Sequence, residues 1–221
     1  MDLLLHPRDE PGLHRPDARG RLSTVGHAAA FRAFARVAND AGIRFMVIGG
    51  TFRDVAVRAA STRDIDIVLI DRRELPAALM RAAGFTRVPR SPHAWRYAAD
   101  DRTVDLEIAA VASSAEAAGP FSVAFQRAQV TTIEGVNVVV PRIEDYVILK
   151  LLAAIADLRR RNRDLTDVQY ALEAFPEHAH GVLSVAALRA RLRDLYGITG
   201  APLKELVALL REVRRRTTHG S

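Results

Sequence analysis

The chain has 221 residues, of which 49% are apolar and none is cysteine, and its net charge is +6 with a sequence pI near 10.4. This length can bury a sizeable core in one domain or two small ones, while the lack of cysteine excludes disulfides and thiolate metal sites. No apolar run approaches membrane-spanning length and no signal-peptide core opens the chain, so the expectation is a cytoplasmic protein without membrane association.

Residues 1–22 mix Pro, Gly, His and charge around the short cluster Leu3-Leu4-Leu5 and read as a loose arm. Ser23 or Thr24 caps a helix running to about Asp40, with Phe31, Phe34, Ala35 and Ala38 on one face and Gly42 as its stop. Phe45–Ile48 reads as a strand that ends at Gly49-Gly50. A short amphipathic segment follows, then a second apolar strand that opens with Asp64 and Asp66 and runs to Ile70. A helix over 74–83, closed by Gly84, precedes two strands over 93–98 and 103–109 that Asp100-Asp101 joins as a turn. Residues 112–120 read as an Ala/Ser/Gly linker, and 130–133 with 136–140 flank Glu134-Gly135 as a hairpin. After Pro141 helical periodicity takes over, at 143–160, 165–175, 184–195 and 201–215. The predicted class is α+β: a small mixed β-sheet domain over 23–140, then an all-helical domain over 141–221.

Asp64 and Asp66 stand at i and i+2 of a strand, so both carboxylates project to one side. Two adjacent carboxylates repel each other unless a cation lies between them. Mg²⁺, which takes oxygen ligands and shares them with substrate phosphates, suits the pair. The missing side chains of Gly49-Gly50 let backbone N–H groups approach a phosphate just upstream. A third carboxylate on a neighbouring strand would complete a metal set, and Asp105 and Glu107 offer two candidates that share a face. Asp105 is preferred because it enters the strand directly after the turn, as ligand and as acceptor of a hydroxyl proton. Trp95 and Tyr97, at strand spacing, read as core rather than as a base-stacking platform. His178 and His180 lie in a loop marked by Pro176 and Gly181, which argues against a metal pair. The basic balance admits an anionic partner, though all but two of its cations are arginine, the exceptions being Lys150 and Lys204. A compact ammonium retained among arginines suits positions that a planar fork does not.

Ile48-Gly49-Gly50-Thr51 followed by Arg63-Asp64-Ile65-Asp66-Ile67 resembles the signature of the polymerase-beta-like nucleotidyltransferase superfamily. Gly49–Asp54 also looks like the opening of CCA-adding enzymes, whose further motifs and long helical body this chain lacks. Lys150, which follows the acidic pair Glu144-Asp145, and Arg163-Asp164-Leu165-Thr166-Asp167 are similar to the C-terminal motifs of AbiEii-type toxins and their minimal nucleotidyltransferase relatives. The resemblance covers about residues 45–175 and departs from the family at Gly50, where serine is common.

It implies a nucleotidyltransferase core that moves an NMP from an NTP to an acceptor hydroxyl and releases pyrophosphate. Asp64, Asp66 and Asp105 would hold Mg²⁺, or Mn²⁺ in its place. Gly49, Gly50, Thr51, Arg63, Lys150 and Asp164 would contact the nucleotide, with Lys150 facing the triphosphate from the helical half, Asp164 orienting Lys150 or a nearby arginine, and Asp167 structural. The implied setting is the toxin of a toxin–antitoxin pair, with tRNA or a protein as acceptor and a cognate antitoxin as partner. The alternatives are a small-molecule antibiotic adenylyltransferase and a non-catalytic nucleotide-binding module of the same fold.

Overall fold

The computed structural model describes residues 22, 24–58, 62, 64–70, 74–91, 93–100, 102–111, 119–178 and 180–219. The expected N-terminal arm lies outside the described residues apart from Leu22, as do Arg63 and most of the expected linker. Helix α1 (Val25–Asp40) starts where the Thr24 hydroxyl accepts the His27 N–H at 3.2 Å, a side-chain cap that satisfies one orphan donor of the first turn. Its expected apolar face, with Phe31 and Phe34 fully buried, packs into the core, and Gly42 at φ 62° ends it.

Seven strands form one mixed sheet. They are β1 (Phe45–Val47), β2 (Asp64–Leu69), β3 (Phe85–Arg87), β4 (Ala94–Ala99), β5 (Arg102–Val111), β6 (Gln129–Ile133) and β7 (Val136–Val140), in the spatial order β3-β4-β5-β2-β1-β7-β6. Central β2 runs antiparallel to β1 and parallel to β5, and β1 meets β7 in parallel at Met46↔Val139.

Strand alternation divides the apolar residues between two faces. Phe45, Val47, Ile65, Ile67 and Leu69 enter the main core, while Met46, Ile48, Val68 and Ile70 form a smaller cluster against Ala124. Ala124 belongs to α4 (Pro120–Gln126), whose Phe121 and Phe125 pack on that cluster. Asp64 and Asp66 share the second face with Val68 and Ile70, so one face is apolar beneath α4 and acidic at its other end. Neither α4 nor β3 is expected from sequence. Helix α4 carries Pro at its first position, which a helix start accepts, but it emerges from a composition that reads as linker. The three residues of β3 are too few for alternation to register.

The chain then forms α5 (Ile143–Ala156), α6 (Arg161–Ala174), α7 (Val185–Asp194) and α8 (Gly200–His219), after a short α3 (Ala77–Ala82) earlier on. Helix α5 stops four residues before the expected end and α6 begins four residues earlier than expected. Asp157 explains both, since its backbone is extended and its carboxylate accepts the Arg159 N–H at 2.9 Å, a local bond that competes with continued helix. One apolar cluster runs from Phe31 through Ile67 and Tyr146 to Leu206 and Leu210, joining the sheet to the helices. Arg191 of α7 holds the acidic start of α5, reaching Glu144 at 2.6 Å and Asp145 at 3.2 Å, and the Tyr196 hydroxyl donates to Asp145 at 3.0 Å. No helix of the described residues is long and apolar enough to cross a membrane.

Candidate active site

The Gly49-Gly50 turn is fastened to the start of β2. Ile48 donates to the Asp66 carbonyl at 3.0 Å, and the Gly50 N–H donates to Asp66 Oδ2 at 2.8 Å. Gly49 sits at φ +60°, and a Cβ there would lie 2.1 Å from Asp66 Oδ2. Only glycine adopts that backbone cheaply and leaves room for the carboxylate. The turn runs through the four-residue helix α2 (Gly49–Phe52) into a π-helical turn at Arg53–Val57.

Thr51 is fully buried. Its hydroxyl lies 3.3 Å from both the Asp64 carbonyl, to which it donates, and the Asp66 N–H, from which it accepts. Thr62 donates to the same Asp64 carbonyl at 3.1 Å. The structure therefore gives Thr51 a positioning role on β2, with its hydroxyl turned inward.

Register settles the relations among the carboxylates. Asp64 faces Asp105 and Asp66 faces Glu107 across the parallel β2–β5 pair, so all four share one side of the sheet. The two β5 candidates then differ. Asp105 is held by Arg96 of β4 in a bidentate pair at 2.7 and 2.9 Å. Glu107 has no such partner among the described residues. Partial desolvation raises its pKa first, followed by the charges of Asp64 and Asp66. Asp66 is raised too, chiefly by burial and further by Asp64, against the pull of the Gly50 N–H, Lys150 and Arg163. Among the described residues no salt bridge neutralises Asp64, Asp66 or Glu107.

Beneath them lies a buried ionic network that joins the two halves of the chain. Lys150 of α5 is buried, with Nζ 3.0 Å from Asp164 Oδ1 and 2.6 Å from Asp167 Oδ2. Asp167 also receives Arg53 Nη1 at 2.8 Å. Tyr146 completes the cluster, its ring 4.8 Å from that of Phe52 and its hydroxyl pushed well up by burial and by Asp167. Lys150 and Asp164 are therefore together, as the resemblance implies, but Asp167 is an equal partner of the lysine. Arg53 and Tyr146 are members that sequence reading passed over, and Asp167, expected there as structural, joins them in the network. The signal was present: Arg53 follows Gly49 by one helical turn, and Asp164 and Asp167 are i and i+3 on one helix face.

Trp95 is fully buried with Arg87 over its ring at 4.3 Å, and Tyr97 packs on Phe85, which makes both core residues. His178 stacks on Phe175, and among the described residues no three His, Asp or Glu side chains form a metal cluster. A Mg²⁺ site does not require one. That ion is commonly held by one or two carboxylates and keeps water or phosphate in its other positions. The side-by-side Asp64 and Asp66, with no salt bridge among the described residues, fit such an ion.

No known family profile matches this sequence, AbiEii-type toxins included, and no curated protein matches it. Solved structures do match. An antigenic nucleotidyltransferase-like protein from Paracoccidioides brasiliensis is 17% identical, with a TM-score of 0.56 over 90% of this chain and 91% of its own. ANT(2″)-Ia in complex with adenylyl-2″-tobramycin is 16% identical, with a TM-score of 0.50 over 86% of this chain and 98% of its own. The mixed sheet, the helical second half and these likenesses establish that the chain has the nucleotidyltransferase fold.

Proposed function

We propose that the protein transfers a nucleoside monophosphate from an NTP to an acceptor hydroxyl. The observation that carries this reading is the meeting of Asp64, Asp66 and Glu107 on one sheet face against the Gly49 turn. The acceptor oxygen attacks the α-phosphorus, the bond from that phosphorus to the bridging oxygen breaks, and pyrophosphate leaves. The acceptor proton passes to Glu107, whose raised pKa suits a base and whose oxygens, unlike those of Asp105, are not both taken by a bidentate arginine. Asp64 and Asp66 would hold Mg²⁺ or Mn²⁺, which when bound neutralises charge on the transferring phosphate. The Gly50 N–H fixes the Asp66 carboxylate, and the Gly49 backbone leaves room for it. Lys150 and Arg163 add positive field at Asp66, on the side where the triphosphate would lie.

For the acceptor, we favour a hydroxyl of tRNA or protein, with the protein acting as the toxin of a toxin–antitoxin pair, over a cationic antibiotic. The exposed Arg160 and Arg163 direct positive charge at Glu107 and Asp66, and such a rim repels a polycation. The test is incubation with each α-labelled NTP and Mg²⁺, alongside total RNA, protein extract and an aminoglycoside panel. Label is expected in a macromolecular fraction and absent with Asp66→Asn. Label on an aminoglycoside alone would move the acceptor to the antibiotic reading. No transfer from any NTP would end the enzymatic one.

A further inference from the structure

Helix α8 carries Lys204, Ala208, Arg211 and Arg215, all exposed, at i, i+4, i+7 and i+11. That spacing forms one stripe along the helix. The opposite face, with Leu206, Leu210 and Val213, is buried. Two shallow concavities meet along the stripe. One, of about 300 Å³, is lined by Arg189 of α7 with Gly200, Leu203, Lys204, Val207 and Arg211. The other, of about 410 Å³, is lined by Ala208, Arg211, Arg214 and Arg215. Arg211 belongs to both, so the two make one continuous groove, and no acidic side chain lines it among the described residues.

Neighbouring arginines are neutralised: Arg191 by Glu144 and Asp145, Arg193 by Asp194, Arg216 by Glu212. Arg189, Lys204 and Arg211 form no ion pair among the described residues. Glu205 and Glu212 lie on the flank of the helix, and the second of these is taken by Arg216. The groove therefore carries three cations, Arg189, Lys204 and Arg211, that no acidic side chain among the described residues neutralises.

We infer that this groove docks the phosphodiester backbone of a nucleic-acid strand. Lys204 and Arg211 stand about 10 Å apart along the helix axis, and Arg189 of α7 lines the same concavity, a spread that suits a chain of charges rather than one phosphate. The arginine fork matches phosphate oxygens in two parallel hydrogen bonds. No aromatic side chain lines the groove to stack a base, so contact is with the backbone and carries no sequence preference. An acidic protein segment is the poorer fit, because protein partners are held by apolar anchors in desolvated pockets. Here Leu203 and Val207 are already buried beneath the cations and Ala208 offers one methyl. The surface binds without nucleotide or turnover, so it stands or falls separately from the transfer reaction.

The test is fluorescence anisotropy of a labelled mixed-sequence single-stranded RNA of 20 nucleotides, without NTP, titrated over salt. Losing three phosphate contacts at about 0.7 each for single strands should flatten the slope of log affinity against log salt by about two in Arg189→Ala/Lys204→Ala/Arg211→Ala. Affinity at fixed low salt should fall at least tenfold, with the melting temperature unchanged. Lys204→Gln alone should flatten the slope by about 0.7, and Arg193→Ala/Arg216→Ala, which removes paired arginines, should leave it alone. Scrambling the RNA sequence should change nothing. An unchanged slope in both groove variants would overturn the inference. So would poly-glutamate of equal charge binding as tightly as the RNA, which would assign the groove to an acidic protein.

Discussion

Asp66 and Glu107 are register partners across the parallel β2–β5 pair, and the turn at Gly49-Gly50 presses its backbone against the first of them. Asp105, two residues earlier on β5 and opposite Asp64, is spent on Arg96. The acidic face is thus graded: one carboxylate is neutralised by a guanidinium, and three have no salt-bridge partner among the described residues.

Glu107→Gln should cost more activity than Asp105→Asn. Loss of a general base lowers rate by about 10²–10⁴-fold, whereas Asp105→Asn weakens an exposed ion pair worth little in itself. Arg96→Ala should resemble Asp105→Asn. Rates of label transfer for the three variants decide the matter, and an inactive Asp105→Asn beside an active Glu107→Gln would reverse the assignment.

Gly49→Ala should damage both stability and transfer. The left-handed backbone costs an L-residue about 1–2 kcal/mol, and the new methyl would meet the Asp66 carboxylate and push it from its hydrogen bond with Gly50. Gly135→Ala is the control, since its φ is also positive, at +79°, yet a Cβ there meets nothing within 4 Å. Equal loss of transfer in the two variants would mean that backbone strain, not displacement of Asp66, is responsible.

How far the sequence foretold this site depends on the scale of the signal. The glycine turn and Asp64-Ile65-Asp66 were legible because strand periodicity alone puts two carboxylates on one side, close to a turn that the Gly-Gly pair marks. The choice between Asp105 and Glu107 was not, because both lie on the same face of β5. Only the cross-strand neighbour Arg96, nine residues away in sequence but paired in register, separates them. Lys150 stood out as one of two lysines, and Asp164 as its partner, but the equal claim of Asp167 needs the i, i+3 face of α6 to be turned toward α5. Helix boundaries failed where a single side chain intervened, as at Asp157, and α4 failed because small residues before Pro120 masked it.

Lys150→Ala should destabilise the protein as well as slow transfer. Removing one partner of a buried ion pair costs about 3–5 kcal/mol, because the other charges stay buried without compensation. Asp164 and Asp167 would then face each other with Arg53 on Asp167 and the more distant, exposed Arg160 at 4.0 Å from Asp164 as their remaining cations. The double change Lys150→Met/Asp164→Leu, which removes charge of both signs, should recover much of the melting temperature without recovering transfer. Recovery of neither would assign the network a purely packing role, and recovery of both would remove Lys150 from the chemistry.

The last expectation concerns Arg191, which lies far in sequence from the acidic start of α5 yet holds it. Asp145 is fully buried, and burial raises its pKa first, against the pull of Arg191 and of the Tyr196 hydroxyl. A carboxyl whose folded pKa exceeds its unfolded one binds more protons when folded, so stability falls as pH rises through the interval between them. Arg191→Ala removes the largest opposing pull, which lifts the folded value further and widens that interval upward. The variant should therefore lie closest to wild type at the acid end, where protonation of Asp145 removes the charge that Arg191 compensates, and fall increasingly below it as pH rises. At the upper end the deficit for an uncompensated buried charge is about 3–5 kcal/mol, which at this chain length is about 6–20 °C in melting temperature. Asp145→Asn placed on the Arg191→Ala background should flatten the pH dependence. Thermal melts across this range read both effects, and a deficit that stays constant with pH would show that Arg191 acts through packing and not through its charge.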